Sequence, residues 1–266
     1  MSVIASPQIS HPIIALGNTS AAAEALRTAG YCLIPGVIDQ NHCARLQTAM
    51  DAIPEDTDLD VWQVRNHLMS NLFNRHAAFL PVLDLPAVAD VADTVLGGDC
   101  HVVTQKGWRA YPGHSMSAVH VDHLPAEMPE DLCMDSRYEP PIAIISALLY
   151  LVDVGAELCP THVVGGSHRS GRAPRADERT WRGNVLTPIL VKAGDVALFR
   201  SDLWHSGGEH RDASCTRYVI ETAYGRRMVA QKFYPYLDFR LDPTIAAAAS
   251  ARQLRLLGRH ERSNYG

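Results

Sequence analysis

Hydrophobic positions in the first hundred residues recur at helical spacing, and after Cys100 they gather into short runs of strand-like composition. Residues 21–29 (AAAEALRTA) are good helix formers, with possible caps at Asn18, Thr19 or Ser20 before them and Gly30 where a helix should stop. Residues 31–34 read as a short strand closed by Pro35-Gly36, and Asp39 can cap a second helix over about 40–52. The segment 53–60 (IPEDTDLD) predicts an acidic turn, and Leu85-Pro86 leads into a third helix ending at Gly97-Gly98. Beyond residue 100, the runs HVVTQKGWRAY, AVHVDH, PIAIISALLYLVD, THVVGGSH, LTPILV, GDVALFR and TRYVIETAYG are rich in Val, Ile, Tyr and Thr and are punctuated by Gly and Pro. So many short strands without intervening helices predict an antiparallel sandwich or barrel. A terminal helix over 243–257, stopped by Gly258, completes the pattern. The expected organisation is one domain over 1–266: a mainly helical part to 99, a β core over 100–230 and a C-terminal helical segment over 231–266.

Composition narrows the class. With 266 residues, 47% apolar and 20% charged, the chain is an ordinary globular sequence. Its 24 basic and 29 acidic side chains leave a net charge of -5 and no basic run, which predicts neither nucleic acid nor an anionic membrane surface as partner. No segment reaches the roughly 20 apolar residues of a spanning helix, and the N-terminus makes a poor signal peptide. The six cysteines form no C-x-x-C pair. A cytoplasmic setting is therefore expected.

Candidate chemistry starts with the 13 histidines. In AVHVDH, His120 and Asp122 are two apart, so on a strand both leave the same face and His123 leaves the other. Downstream, GDVALFRSDLW ends at His205, and Ser206-Gly207-Gly208 would let the chain turn there. Two imidazoles and one carboxylate that leave coordination positions open suit non-haem iron(II). Taken alone, His120 and Asp122 read first as a hydrogen-bonded pair on a sheet face. Twelve residues after His205 stands Arg217, on a β run able to return beside it, and an arginine there can hold a carboxylate through two parallel hydrogen bonds.

With these residues in place, the sequence resembles the phytanoyl-CoA dioxygenase-like family of iron(II)- and 2-oxoglutarate-dependent oxygenases. The matching pieces are GYCLIPGV, RAYPGHSMSAVHVD, ALLYLVDV, VVGGSHRSGRAP, GDVALFRSDLWHSGG, TRYVIETAY and RQLRLLGRH, in the family's order over about residues 20 to 262. The resemblance implies a mainly β fold with flanking helices, the cupin-like double-stranded β-helix or jelly roll. It implies that Fe(2+) is held by His120, Asp122 and His205, with 2-oxoglutarate and O2 as cosubstrates and Arg217 on the distal carboxylate. Arg109 matches a position of polar contact to cosubstrate or substrate, and Gln105, four residues earlier, shares its face. Arg211 is the rival to Arg217, because the spacing from His205 is long. Gly165 and Cys159 depart from the family's pattern, both in loops.

The activity implied is oxidation, foremost hydroxylation, of an unactivated C–H bond of a small molecule, with 2-oxoglutarate converted to succinate and CO2, in specialised metabolism or the breakdown of an unusual compound. Halogenating relatives lack the carboxylate that Asp122 supplies. The rivals are a cupin-type metal enzyme that does not use 2-oxoglutarate and a non-catalytic jelly-roll binding protein. For the substrate, the sequence offers Ser146 and Tyr150 on one strand face and the acidic segment 124–140 as a lid or a plain surface loop. Glu221 shares the pleat of Arg217, with Arg109 across the barrel or a cationic or polyhydroxylated substrate as its partner.

Overall fold

The computed structural model describes residues 10–54, 65–124 and 126–261. Four helices open the chain, and three of them have a local cause. The first, α1 (Thr19–Thr28), starts where the Asn18 side chain accepts the Ala21 N–H at 3.2 Å, and α2 (Gln40–Asp51) starts where Asp39 accepts the His42 N–H at 2.7 Å. Between them lies β1 (Tyr31–Ile34). Gly30 has φ +84°, and a Cβ there would lie 2.6 Å from the ring of His168, so both conformation and close packing require glycine. After β2 (Asn66–Ser70) and the single turn α3 (Leu72–Arg75), a 3-10 stretch Ala77–Asp84 leads to α4 (Pro86–Leu96), with Pro86 at the first helical position.

Next come β3 (His101–Ala110), the short α5 (Glu130–Met134), β4 (Ile144–Tyr150), β5 (Thr161–Val163), a two-residue hairpin of β6 (Thr180–Trp181) and β7 (Asn184–Val185), and β8 (Thr187–Pro188). The series ends with β9 (Val196–Arg200), β10 (His205–Gly207) and β11 (Arg217–Gly225). Six strands pair antiparallel in the order β1-β9-β4-β11-β3-β2, and β10-β5-β8 form the facing sheet. The fold is a jelly roll, mainly β with flanking helices.

The large sheet is apolar on both faces, for different reasons. Its outer face (Cys32, Ile34, Ala147, Leu149, Val196, Leu198, Ile220) is covered by Leu26, Leu46, Met50, Val88 and Ala92 of the helices. Its inner face (Tyr31, Leu33, Leu148, Tyr150, Ala197, Phe199, Val219) packs toward Val163 and Ile189 of the small sheet. Strands buried on both sides read as continuous apolar runs, and β4 is buried at every position.

Two expectations need correction. Residues 118–123 form no strand: they run as an irregular segment touching the small sheet through the isolated bridge His120↔His205. The terminal helix is two helices, α6 (Pro243–Ala248) and α7 (Ala251–Leu256), because Ala249 is extended and Ser250 with Gln253 forms a new capping box. Of the acidic turn, residues 55–60 lie outside the described residues. The strand β2, absent from the expected pattern, pairs along β3 at the sheet edge.

Candidate metal centre and cosubstrate pocket

His120 and Asp122 approach His205 through backbone contacts. The His120 and His205 peptide groups exchange two hydrogen bonds, and the N–H groups of Asp122 and His123 both reach the Ser201 carbonyl, at 3.0 and 3.1 Å. The Nδ1 of His120 bonds to the Ala118 carbonyl at 3.0 Å and that of His205 to the Leu203 carbonyl at 2.9 Å. Each bond turns the ring so that Nε2 is the free nitrogen. Both Nε2 atoms face Asp122 Oδ1, at 3.9 Å from His120 and 3.6 Å from His205, and the three donor atoms lie within 4.8 Å of one another. One cation at about 2.0 to 2.2 Å from each donor fits such a set. His205 is buried, while the Asp122 side chain is 39% exposed and opens the site to solvent.

Electrostatics favour an ionised Asp122 and a neutral His120, while, against the effect of burial, the Asp122 carboxylate raises the pKa of His205. Burial works against ionisation of Asp122, but His205 and His120 outweigh it and hold the carboxyl down at about 2. Burial and the neighbouring His205 lower His120, which favours the neutral ring that a metal requires. Gly207 and Gly208 serve packing more than turning: Cβ atoms there would meet Met116 at 3.0 Å and Pro160 at 2.9 Å, so no larger residue lets β10 sit this close.

Arg217 begins β11 on the inner face, 8% exposed, with its guanidinium 5.5 Å from the Tyr150 ring. Its Nη2 donates to Thr161 Oγ1 at 3.3 Å, Tyr150 donates to the same oxygen at 2.9 Å, and Arg217 Nε has no partner. A buried guanidinium with an idle donor suits a carboxylate ligand, since an unmet buried donor costs about 1 to 3 kcal/mol. His114 and His210 are buried near it. Burial first, and the Arg217 charge after it, push His114 down to about 4, and its Nδ1 is also without a partner. Arg211 instead lies 61% exposed, paired with Glu209 at 2.7 Å and Glu157 at 3.9 Å.

Arg109 and Gln105 do not join this pocket. Residues directly opposite in an antiparallel pair share a face, and β3 opposes β11 with Ala110 at Arg217, Arg109 at Tyr218, Lys106 at Glu221 and Gln105 at Thr222. Both side chains therefore point outward, under the helices. Arg109 bonds to Asp51 at 3.0 Å and to His67, and Gln105 Nε2 lies 3.4 Å from the Phe79 carbonyl and from Thr222 Oγ1. The same parity removes Arg109 as the partner of Glu221. That buried carboxylate accepts from Ser146 Oγ at 2.9 Å. Ser146 and Tyr150 do lie on the inner face, Ser146 with Glu221 and Tyr150 with Thr161 beside Arg217.

Lys106, Thr161, His114 and His210 were missed from sequence. The alternation TQKGW did mark Lys106 as facing opposite to Gln105, but only the register assigns the faces. Cys159, a departure from the family's pattern, adopts φ +49°, the left-handed region that glycine enters without strain.

A jelly roll carrying two imidazoles and a carboxylate at its open end, with a buried arginine nearby, defines the class of iron- and 2-oxoglutarate-dependent oxygenases. Residues 26–218 match the family model described as phytanoyl-CoA dioxygenase, and the chain belongs to this family. It is an oxidoreductase that uses iron(II) and 2-oxoglutarate. An uncharacterised protein of Mycobacterium tuberculosis is 25% identical, with 94% of this chain and 91% of that protein covered. Among solved structures, HygX from Streptomyces hygroscopicus, with nickel, 2-oxoglutarate and hygromycin B bound, superposes with TM-score 0.62 at 18% identity, covering 79% of this chain and 88% of that one. The epimerase SnoN from nogalamycin biosynthesis, in complex with Fe3+, alpha ketoglutarate and nogalamycin RO, gives 0.63 at 18% identity, with 85% and 91% covered. No helix among the described residues is long and apolar enough to cross a membrane.

Proposed function

We propose that His120, Asp122 and His205 hold the iron(II), that Arg217 grips the distal carboxylate of 2-oxoglutarate, and that the enzyme hydroxylates an unactivated C–H bond of a small molecule of specialised metabolism. The observation that carries this is the convergence of two backbone-oriented Nε2 atoms on the Asp122 carboxylate. The bound metal supplies dioxygen activation coupled to decarboxylation of the keto acid to succinate. The protein's own part is positional. The Ala118 and Leu203 carbonyls fix the two rings, and Thr161 and Tyr150 steady the guanidinium of Arg217. The apolar inner face around Val219, Leu148 and Phe199 keeps water from the cosubstrate. His114 and His210 stand close enough to add neutral donors to the same anion pocket. Hygromycin B and nogalamycin RO in the related structures support a small organic substrate.

A second reading is stereochemical inversion or ring closure, as the epimerase SnoN and the carbocyclase SnoK show that this fold hosts both. The whole chain acts as one catalytic unit in either reading, since the helices of the first hundred residues bury the sheet that carries the site. Anaerobic titration with iron(II) and then 2-oxoglutarate tests the proposal. A weak visible metal-to-ligand charge-transfer band, followed by succinate on admission of oxygen, is the expected result. A spectrum without that band would overturn it.

A further inference from the structure

The inner wall of the large sheet carries a Lys–Glu pair that the oxygenase reading does not use. Glu221 is 8% exposed and stands two pleats along β11 from Arg217, and burial, with the Asp122 charge after it, raises its pKa above the ordinary carboxyl value. Directly opposite it on β3 is Lys106, half-buried. Residues so placed have Cβ atoms about 4.5 to 5.5 Å apart, well within reach of a lysine and a glutamate. The two nevertheless form no ion pair: Glu221 accepts only from Ser146 Oγ, and Lys106 makes no hydrogen bond among the described residues, although Asp122 and Glu221 both sense its charge. Two positions along β3 from Lys106, Trp108 faces the same side opposite Val219, and Ser146 stands beside Glu221 on β4.

We propose that Lys106, Trp108, Ser146 and Glu221 form the substrate-recognition wall and that it selects a polyhydroxylated ring. The chemistry is selective in both directions. An alkyl chain offers the polar atoms of Glu221 and Ser146 no partner, and a polyamine meets the charge of Lys106. A hydroxyl donates to Glu221 and accepts from Lys106, so neighbouring hydroxyls on a ring satisfy both groups at once. The indole of Trp108 supplies an apolar face for the C–H side of such a ring. A ligand without hydroxyls leaves a buried carboxylate half-satisfied, and polar sites reject such ligands strongly for that reason. This assignment rests on the oxygenase reading only for the direction from which substrate reaches the metal donors.

The test is isothermal titration of the full chain, loaded with nickel and 2-oxoglutarate, against myo-inositol, methyl glucoside, laurate and spermidine, each repeated without nickel and 2-oxoglutarate. The two polyols are expected to bind, with Glu221→Gln weakening them at least tenfold while the nickel and 2-oxoglutarate affinities stay within threefold. Lys106→Met, at a half-buried position that tolerates the change, gives the same loss independently of how well the Glu221 variant folds. Preferred binding of laurate or spermidine, no polyol binding up to the solubility limit, or unchanged polyol affinity in both variants would overturn the proposal. Failure of 2-oxoglutarate to bind the nickel-loaded protein, with Glu221-dependent polyol binding intact, would sink the oxygenase reading and leave this one standing.

Discussion

His120 and His205 face each other as an isolated antiparallel bridge: each donates its N–H to the other's carbonyl, at 2.9 and 3.0 Å, and their ring centroids are 4.3 Å apart. The backbone, rather than the side chains, thus sets the spacing of the two imidazoles, and the third donor is added by a carboxylate that is half open to solvent. Asp122→Ala should leave this bridge intact while removing the anionic donor. The expected outcome is loss of nickel affinity by about two orders of magnitude or more and of succinate formation, with an unchanged far-ultraviolet circular dichroism spectrum. Calorimetry on the apo protein checks the first, and full retained affinity would contradict the ligand role.

Arg217→Leu removes a buried charge-assisted contact to a carboxylate, and such contacts contribute about 1.5 to 3 kcal/mol each. A rise of roughly a hundredfold in the 2-oxoglutarate concentration for half-maximal succinate release is expected, with metal affinity nearly constant. Arg211→Leu breaks only exposed ion pairs of about 0 to 1 kcal/mol and should leave that concentration within twofold. The opposite ranking would reassign the cosubstrate arginine.

Arg109→Ala offers a check on the sheet's faces. Its loss removes the contacts to His67 and to Asp51 at the end of α2, costing about 1 kcal/mol of stability, while the 2-oxoglutarate requirement stays within twofold. Chemical denaturation and steady-state kinetics on one preparation measure both quantities. A tenfold rise in that requirement would place Arg109 in the pocket after all.

Acid stability should report on His168. Burial foremost, with Arg200 adding to it, pushes its pKa down to about 3, and its Nε2 donates to the Arg27 carbonyl at 3.0 Å. The native ring stays neutral where the unfolded one, with a pKa near 6.5, already takes a proton. Stability is therefore fully present above about pH 6.5 and declines as pH falls toward 3, by roughly 2 to 3 kcal/mol at pH 4.5 from this group alone. Denaturant melts of His168→Gln between pH 7 and 4.5 should show a shallower decline than the parent; parallel curves would refute the assignment.

The strands and helices were legible in sequence because their patterns are local: caps at Asn18 and Asp39, apolar runs in β4 and β9, and Gly30 at a helix end. The convergence of His120, Asp122 and His205 could be anticipated from a resemblance carried by the order of several motifs, since the His120–Asp122 pair by itself is common on sheets. What failed depends on partners distant in sequence. The face of Gln105 and Arg109 follows from the register of β3 on β11, which no local pattern contains. Residues 118–123 alternate like a strand, yet their single bridge comes from the return of residue 205. Lys106 gains its interest only from Glu221 opposite.

The turn after β9 gives the mouth of the barrel an architect's logic. Ser201 receives the N–H groups of Asp122 and His123, while Arg200, 1% exposed and locked onto Asp202 at 2.7 Å, points its guanidinium at the carbonyls of Pro140 and Pro141. The backbone of Asp122 and His123 and the end of the described segment 126–140 are thus tied to one turn. That segment is also held by separate contacts, the Met128 N–H on the Gly171 carbonyl and Glu130 on Arg182, both at 2.8 Å. A substitution at Arg200 or Ser201 would therefore disturb the segment 126–140 and the carboxylate of Asp122 together, although neither residue supplies a metal donor.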